Sequence, residues 1–319
     1  MNEILLVGVS FVWGTTFVLV KDALPVLPPF AFLAVRFALA FVFFLPLCLQ
    51  ERMRGRAPVR FADLLLGFRL GLGAWLFLGY ALQTVGLQHT TAAKAGFLTG
   101  LSVILVPLLG RLLGRNALRK RDLLSVAAAL LGLYFLTGTD AAASAGAASE
   151  SWGDFFVVLC ALFFAVQIVE TDRLVRQSPP TVLATFQILA VAVYSVPLSL
   201  LWEADALTTL GSRILAPPVL LALAVTSFFA TTFAFWAQTH AQRRVPTSHV
   251  ALIFALEPVF AALAGVLWAG EPFTLSMGVG SALIFGGILL TSLLPRSRSP
   301  EPEGEGMRGA EAPPSAESK

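Results

Sequence analysis

Charge is scarce in this sequence. Only 13 % of its 319 residues are Asp, Glu, Lys or Arg, whereas a soluble globular domain carries about a quarter. With 57 % hydrophobic residues and a mean hydropathy of +0.80, the chain has more apolar surface than a water-soluble core can hide, and its solvent is read as lipid. The net charge of +3 comes with no basic field along the sequence, so nucleic acid is not expected as a partner. Cysteine is limited to Cys48 and Cys160, both inside apolar runs. They read as buried small hydrophobes rather than a disulfide. Met1-Asn2-Glu3 supplies no basic n-region, and no A-x-A site follows the first apolar run. That run therefore reads as a retained helix rather than a signal peptide. There is no G-x-x-x-x-G-K-[ST] phosphate loop, which argues against direct coupling to ATP. No H-E-x-x-H or G-x-S-x-G is present, and the three histidines, His89, His240 and His249, fall on different segments or loops. No cofactor, metal site or enzyme active site is implied by these motifs.

What the sequence has in abundance is long apolar runs. A spanning helix needs about 20 largely apolar residues. Ten runs meet that measure: 4–22, 29–49, 63–87, 93–114, 121–139, 152–173, 180–202, 216–240, 248–270 and 272–294. The expected fold is therefore an all-α polytopic membrane protein of ten transmembrane helices. Short breaks carry turn chemistry, as at Leu27-Pro28-Pro29, Ser178-Pro179-Pro180 and Ala216-Pro217-Pro218. The one long interior break, 140–151, is rich in Ala, Ser and Gly and reads as a connector between a first half, 1–139, and a second half, 152–294. Residues 295–319 are rich in Pro, Glu and Ser and read as a disordered tail.

Lysine and arginine set the orientation. Arg52, Arg54, Arg56 and Arg60 follow segment two; Arg115, Arg119, Lys120 and Arg121 follow segment four. Arg173 and Arg176, Arg243 and Arg244, and Arg296 and Arg298 follow segments six, eight and ten. The alternate loops hold only Lys21, Lys94 and Arg213. Both termini are thus expected in the cytoplasm, with the chain in the cell membrane.

The halves also resemble each other. Pro28-Pro29 and Pro46-Leu47 recur as Pro179-Pro180 and Pro197-Leu198 at one common offset. At a slightly longer offset, Tyr80-Ala-Leu-Gln83-Thr84 lines up with Phe235-Trp-Ala-Gln238-Thr239, Lys94 with His249, and Ser102 with Glu257. Pro107 and Pro258 return to the first offset, so a short shift lies within segments four and nine. Five segments per half is an odd number, so the halves are expected to be inverted. Inverted repeats are typical of secondary transporters, whose substrate site lies near midplane where the repeats meet.

Several motifs together carry a family resemblance: Trp13-Gly14-Thr-Thr-Phe, Val35-Arg36-Phe37, Lys94-Ala-Gly-Phe97-Leu-Thr-Gly100-Leu with Val106-Pro107-Leu-Leu, and Glu257-Pro258-Val-Phe-Ala-Ala-Leu with Gly270-Glu271. In this order and spacing they resemble the EamA-type branch of the drug/metabolite transporter superfamily, over about residues 1–294. The resemblance implies a basket of ten helices with both termini cytoplasmic. It implies a central cavity lined by helices 1, 3, 4, 6, 8 and 9, with helices 5 and 10 at the periphery. It also implies movement of metabolites, often amino acids or drug-like compounds, commonly outward.

Candidate functional residues follow. Glu257 stands in an apolar run, where a carboxylate costs several kcal/mol unless it finds a partner, water or a proton. It shares a helix face with His249 and Ile253 and lies about 12 Å from the segment's inner end, near midplane. It reads either as a protonatable coupling site or ammonium anchor, or as an acceptor for helix ends freed by Pro107 and Pro258. Arg36 can bind an anionic group, or snorkel outward to Glu271 or lipid phosphate; the structural role is favoured. Lys94 and His249, near opposite mouths, read as gate residues or as interface anchors. Trp13 with Phe17, Tyr80 with Gln83, Gln167 with Glu170, and Phe229, Thr232 and Trp236 each share a face of a helix that the resemblance places at the cavity. Aromatic walls with a few amides and hydroxyls suit an amphipathic solute, although such residues also serve packing. Gly67 with Gly71, Gly96 with Gly100, and Gly110 with Gly114 read as close helix contacts.

The function expected is a secondary transporter, working by alternating access and exporting a small organic metabolite such as an amino acid, by proton exchange or facilitated flux. Its partners are a small-molecule substrate and membrane lipids. The sequence leaves its oligomeric state open and is compatible with a monomer. The alternatives are an intramembrane enzyme acting on a lipid through Glu257, His249 or Lys94, and a non-transporting scaffold.

Overall fold

The computed structural model describes residues 2–53, 71–113, 120–141, 148–268 and 274–293. The tail 295–319, most of the connector, Glu271 and the basic residues Arg54, Arg56, Arg60, Arg115 and Arg119 lie outside the described residues. In chain order the helices are α1 (Asn2–Ala23), α2 (Pro29–Met53), α3 (Leu72–Gln88), α4 (Ala92–Gly100), α5 (Ser102–Leu112), α6 (Lys120–Ala141), α7 (Ala148–Leu174), α8 (Pro180–Trp202), the short α9 (Ala204–Thr208) and α10 (Leu210–Ile214), and α11 (Pro217–Val225). A π-helical stretch (Thr226–Phe233) leads into α12 (Ala234–Gln242). The last three are α13 (Thr247–Phe254), α14 (Glu257–Trp268) and α15 (Leu275–Leu293). Among the described residues seven stretches are long and apolar enough to cross a bilayer, and Leu123–Phe135 and Leu275–Gly287 are shorter apolar helices. The fold is that of an all-helical, polytopic membrane protein.

Helix boundaries follow from backbone chemistry. Pro29, Pro180 and Pro217 open α2, α8 and α11, where a missing N–H costs nothing and the fixed φ is already helical. At α2 the orphan donors are capped from the other half of the chain: Phe30 N and Ala31 N donate to the two carboxylate oxygens of Glu203, at 2.9 and 2.7 Å. Thr91 caps α4 by accepting from Lys94 N at 3.2 Å.

Two spans are interrupted midway. The first breaks at Leu101, between α4 and α5, and the second at Ala255 and Leu256, between α13 and α14. Pro107 and Pro258 lie in the second portion of each and leave one carbonyl a turn earlier without its helical partner. In the later break, Leu256 N bonds to Ile253 O at 3.0 Å, and Ser10 Oγ donates to the same carbonyl at 3.1 Å.

Polarity is inverted relative to a soluble protein. Gln187, Thr226, Thr231 and Gln238 are buried, while Trp202, Leu267, Trp268 and Leu201 stand exposed. With lipid outside, exposing Leu and Trp costs nothing, and unpartnered polar groups are the expensive ones. Helix α1 runs through the middle, touching α4, α11, α12, α13, α14 and the π stretch. Around it, α3 packs on α7, α2 on α8 and α6 on α15. Where α6 meets α15 the backbones nearly touch: a Cβ on Gly132 would lie 2.6 Å from Gly280 O. Gly100 likewise leaves room for Pro258, whose Cγ would lie 3.1 Å from an added Cβ, while Gly96 has only ordinary contacts. Cys48 and Cys160 are free thiols.

Candidate functional site

A cavity with about 730 Å³ of empty space, its open mouth included, lies among α1, α2, α3, α4, α5, α7, α12, α13 and α14. Its aromatic wall comprises Trp13, Phe17, Tyr80, Phe164, Phe235 and Phe254. Its neutral polar groups are Thr16, Gln83, Thr84, Thr99, Ser102, Gln167 and Gln238. Among the described residues only two charged side chains line it, Arg36 and Glu257.

Several wall groups are held by specific partners. Tyr80 packs edge-on against Phe37 and Phe164, with ring centroids 5.0 and 5.2 Å apart. Trp13 packs against Phe254 at 5.0 Å and donates Nε1–H to Ala230 O at 2.8 Å. That carbonyl sits in the π stretch, where hydrogen bonds to the residue five along replace the usual four. Thr232 Oγ1 donates to Ser227 O within the same stretch at 2.8 Å. The amides are linked in part: Gln83 Nε2 donates to Thr99 Oγ1 at 3.1 Å, and Gln167 Nε2 to Thr171 Oγ1 at 3.0 Å and to Gln187 Oε1.

Arg36 is 5 % exposed. Its Nε donates to Thr231 Oγ1 at 3.0 Å, and its guanidinium carbon lies 4.9 Å from the centre of the Tyr80 ring and 5.3 Å from that of Phe37. It therefore turns inward instead of snorkelling to the headgroups; the pairing considered with Glu271 lies outside the described residues. Glu257 is 7 % exposed, and among the described residues its carboxylate has no hydrogen bond or ion pair. It is the first residue of α14, so the positive end of that helix faces it.

Of the residues picked from sequence, Trp13, Phe17, Arg36, Tyr80, Gln83, Gln167 and Glu257 come together at this cavity. The others do not. Lys94 Nζ pairs with Asp154 Oδ2 at 2.6 Å, in a cluster where Thr90 Oγ1 donates to Asp154 Oδ1 at 2.7 Å and Lys21 Nζ donates to Thr90 O. His249 is buried, with Nδ1 3.5 Å from Glu3 Oε1. Phe229 is 48 % exposed on the outer face, and Thr232 also bonds to Ala40 O of α2 at 3.3 Å. Trp236 packs against Phe233 and His240, and Glu170 turns to Arg173 at 3.5 Å. Glu257, His249 and Lys94 thus do not converge on one acid–base site. Among the described residues no group of three or more His, Cys, Asp or Glu side chains could hold a metal ion.

Phe235 and Gln238 take the places expected of Phe229, Thr232 and Trp236. A uniform α-helical period misplaces the face, because the π stretch takes in an extra residue per turn. The internal repeat carried the missing signal, since it aligns Phe235 and Gln238 with Tyr80 and Gln83.

Comparison with known proteins agrees with this architecture. Residues 1–138 and 151–293 match the sequence profile of the EamA-like transporter family. The chain is 37 % identical over 285 residues to an uncharacterized transporter of Archaeoglobus fulgidus, covering 89 % of this chain and 83 % of that one. It is 25 % identical over 294 residues to a probable amino-acid metabolite efflux pump of Salmonella typhimurium, covering 88 % and 91 %. A crystal structure shares the fold with a TM-score of 0.70 at 22 % identity, covering 90 % of this chain and 95 % of that one.

Proposed function

As this chain belongs to the EamA-like transporter family, we propose that it is a secondary transporter exporting a small organic metabolite, an amino acid or related amphiphile, by alternating access of two inverted five-helix halves. Membership of that family and several helices able to span a bilayer make it a multi-pass membrane transporter. Its halves are residues 1–139 and 152–294, both termini are cytoplasmic, and it works in the cytoplasmic membrane.

One observation carries this reading. The cavity lies where two interrupted spans, one from each half, restart their helices at Ser102 and Glu257, positions that the internal repeat pairs. Discontinuous helices meeting at midplane are how transporter repeats build a substrate site. The packing supports the inversion. Contacts of α3 and of α4 and α5 with α7 are matched by contacts of segment eight and of α13 and α14 with α1. The pairs α2–α8 and α6–α15 each join a segment to its own counterpart. Lys21, Thr90, Lys94 and Asp154 gather at one end of the bundle. Glu3 and His249 meet where segments one and nine begin. Both gatherings agree with the alternating course of the chain. The outward direction is supported by the efflux pump among the relatives, and the cytoplasmic termini by the lysine and arginine asymmetry.

Purified protein in liposomes tests the reading: exchange of a labelled solute against unlabelled solute, with the solute unchanged, is expected. A chemically altered lipid without solute exchange would replace transport with catalysis. Proton coupling, where flux is pH-driven, is assigned to Glu257. Glu257→Gln keeps the shape and removes the titratable group, so accumulation driven by a pH gradient should vanish. Wild-type accumulation in that variant would exclude coupling at this site.

A further inference from the structure

We propose that the cavity has a second, closed passage to the opposite side of the membrane, running between α7 and α12 and lined by Thr171, Thr239 and Gln242. This rests on the transporter reading above and adds the surface through which the cavity meets the other compartment.

The internal repeat reveals it. At the first offset, Trp13, Thr16 and Phe17 of α1 pair with Phe164, Gln167 and Ile168 of α7, and all six line the cavity. At the longer offset, Tyr80 and Gln83 of α3 pair with Phe235 and Gln238 of α12, and these four line it too. One turn farther along the same helix faces the match stops. Val20, Thr84 and Leu87 carry the lining on between α1 and α3. Their counterparts Thr171, Thr239 and Gln242 are 0 % exposed and do not line the cavity. Val20 and Leu87 lie toward the end that holds Lys21 and Thr90, whereas Thr171 and Gln242 lie toward the end that holds Arg173 and Arg243. One seam belongs to the cavity, and its mate at the other end of the bundle is sealed.

Packing shows which contacts are able to part. Helix α3 lies along α7, where a Cβ on Gly86 would come within 2.8 Å of Gly153 O. Helix α1 lies along α11, the π stretch and α12, tied there by the Trp13 bond to Ala230 O at 2.8 Å. By contrast α1 meets α3, and α7 meets α12, only narrowly. Two firm groups, each joining helices from both halves, can therefore tilt against each other, closing one seam as the other opens.

The seal itself is polar. Gln242 Nε2 donates to Ile168 O at 3.0 Å, Gln238 Nε2 to Gln167 Oε1 at 3.4 Å, and Arg243 Nε to Val175 O at 2.9 Å. Gln238 Oε1 and Gln242 Oε1 are buried and accept no hydrogen bond among the described residues, a costly arrangement for a seam that stays shut. Water entering between α7 and α12 satisfies both oxygens and replaces the three bonds. An apolar seal has no such exchange to offer.

The test labels cysteines with a charged, membrane-impermeant methanethiosulfonate. It uses the full chain in membrane vesicles of either orientation, with Cys48→Ala and Cys160→Ala as background. Val20→Cys and Leu87→Cys should react from one face only. Thr171→Cys, Thr239→Cys and Gln242→Cys should react only from the other. Their rates should exceed that of Ser195→Cys, buried in α8, by at least about tenfold, because an alternate conformer populated at about 0.1–10 % exposes them while the packed core opens far less. Three positions on two helices keep the test decisive if one variant fails to fold. Reaction at the three no faster than at Ser195→Cys, with Val20→Cys and Leu87→Cys reacting, would overturn the passage and leave transport by another route. Reaction of all five from a single face would overturn it too, since that describes a continuous pore. If none of the five reacts from either face, the cavity is closed to both compartments and the transporter reading falls with the passage.

Discussion

Gly14 of α1 lies backbone to backbone against Glu257 of α14: a Cβ on Gly14 would overlap the Glu257 carbonyl oxygen and lie 2.9 Å from Ala261 N. The central helix is therefore seated on the restart of the interrupted span that presents the cavity carboxylate. The atoms in the way are main chain and the Phe260 Cβ, none of which has a rotamer to yield.

Gly14→Ala should separate α1 from α14 and destabilise the protein by about 1–3 kcal/mol, the usual cost of overpacking. Thermal unfolding in detergent or nanodiscs measures it. A midpoint unchanged from wild type would show that the two helices slide apart freely.

Trp13→Phe keeps the ring against Phe254 and removes the Nε1–H donated to Ala230 O. Because the π stretch gives that carbonyl a backbone donor as well, the loss is that of one hydrogen bond, about 0.5–1.5 kcal/mol. Because Ala230 is in the π stretch, the loosening should be local. Hydrogen exchange across 226–233 should rise more than exchange in α8.

Glu203 caps α2 across a large sequence separation. Glu203→Ala should cost about 0.5–2 kcal/mol, as for other lost N-caps. Glu203→Gln retains an acceptor and should recover part of this. Equal losses in both variants would point to charge rather than hydrogen bonding as the source.

The Lys94–Asp154 pair, with side chains 17 % and 24 % exposed, should couple by only about 0.2–1 kcal/mol in a cycle of Lys94→Met and Asp154→Asn. Asp154 also holds Thr90, so Asp154→Asn should speed hydrogen exchange at the α3–α4 turn more than Lys94→Met does. High salt should weaken the coupling.

The ends and breaks of the helices were the most legible part of the sequence. Prolines at 29, 180 and 217 open helices, and Pro107 and Pro258 mark the two interrupted spans. These effects are local, carried by single residues with one missing N–H. A carboxylate inside an apolar run is legible too, since burying one needs a reason; Glu257 is such a residue, and it lines the cavity. Direction around the helix axis was harder. For Arg36 the sequence favours a structural role, snorkelling outward to Glu271 or lipid phosphate. Thr231 and Tyr80, which hold it inward, come from other helices. The same holds for His249, whose neighbour Glu3 belongs to the first helix. On segment eight the error had a backbone cause, as no side-chain pattern announces the change from α to π turns.

That change has a consequence for how the segment tolerates alteration. Between Val225 and Ala234 the chain is wound with i→i+5 turns, so it carries surplus length. Substitutions there would act in degrees, through one contact at a time. Removing a single residue would let the stretch relax to α winding, which takes up the surplus and leaves the residues beyond it close to their present facing. Phe235 and Gln238 would stay at the cavity, whereas the same deletion in a plain α-helix would turn everything beyond it by about 100°. On this helix a one-residue deletion between 226 and 233 should be tolerated better than an insertion.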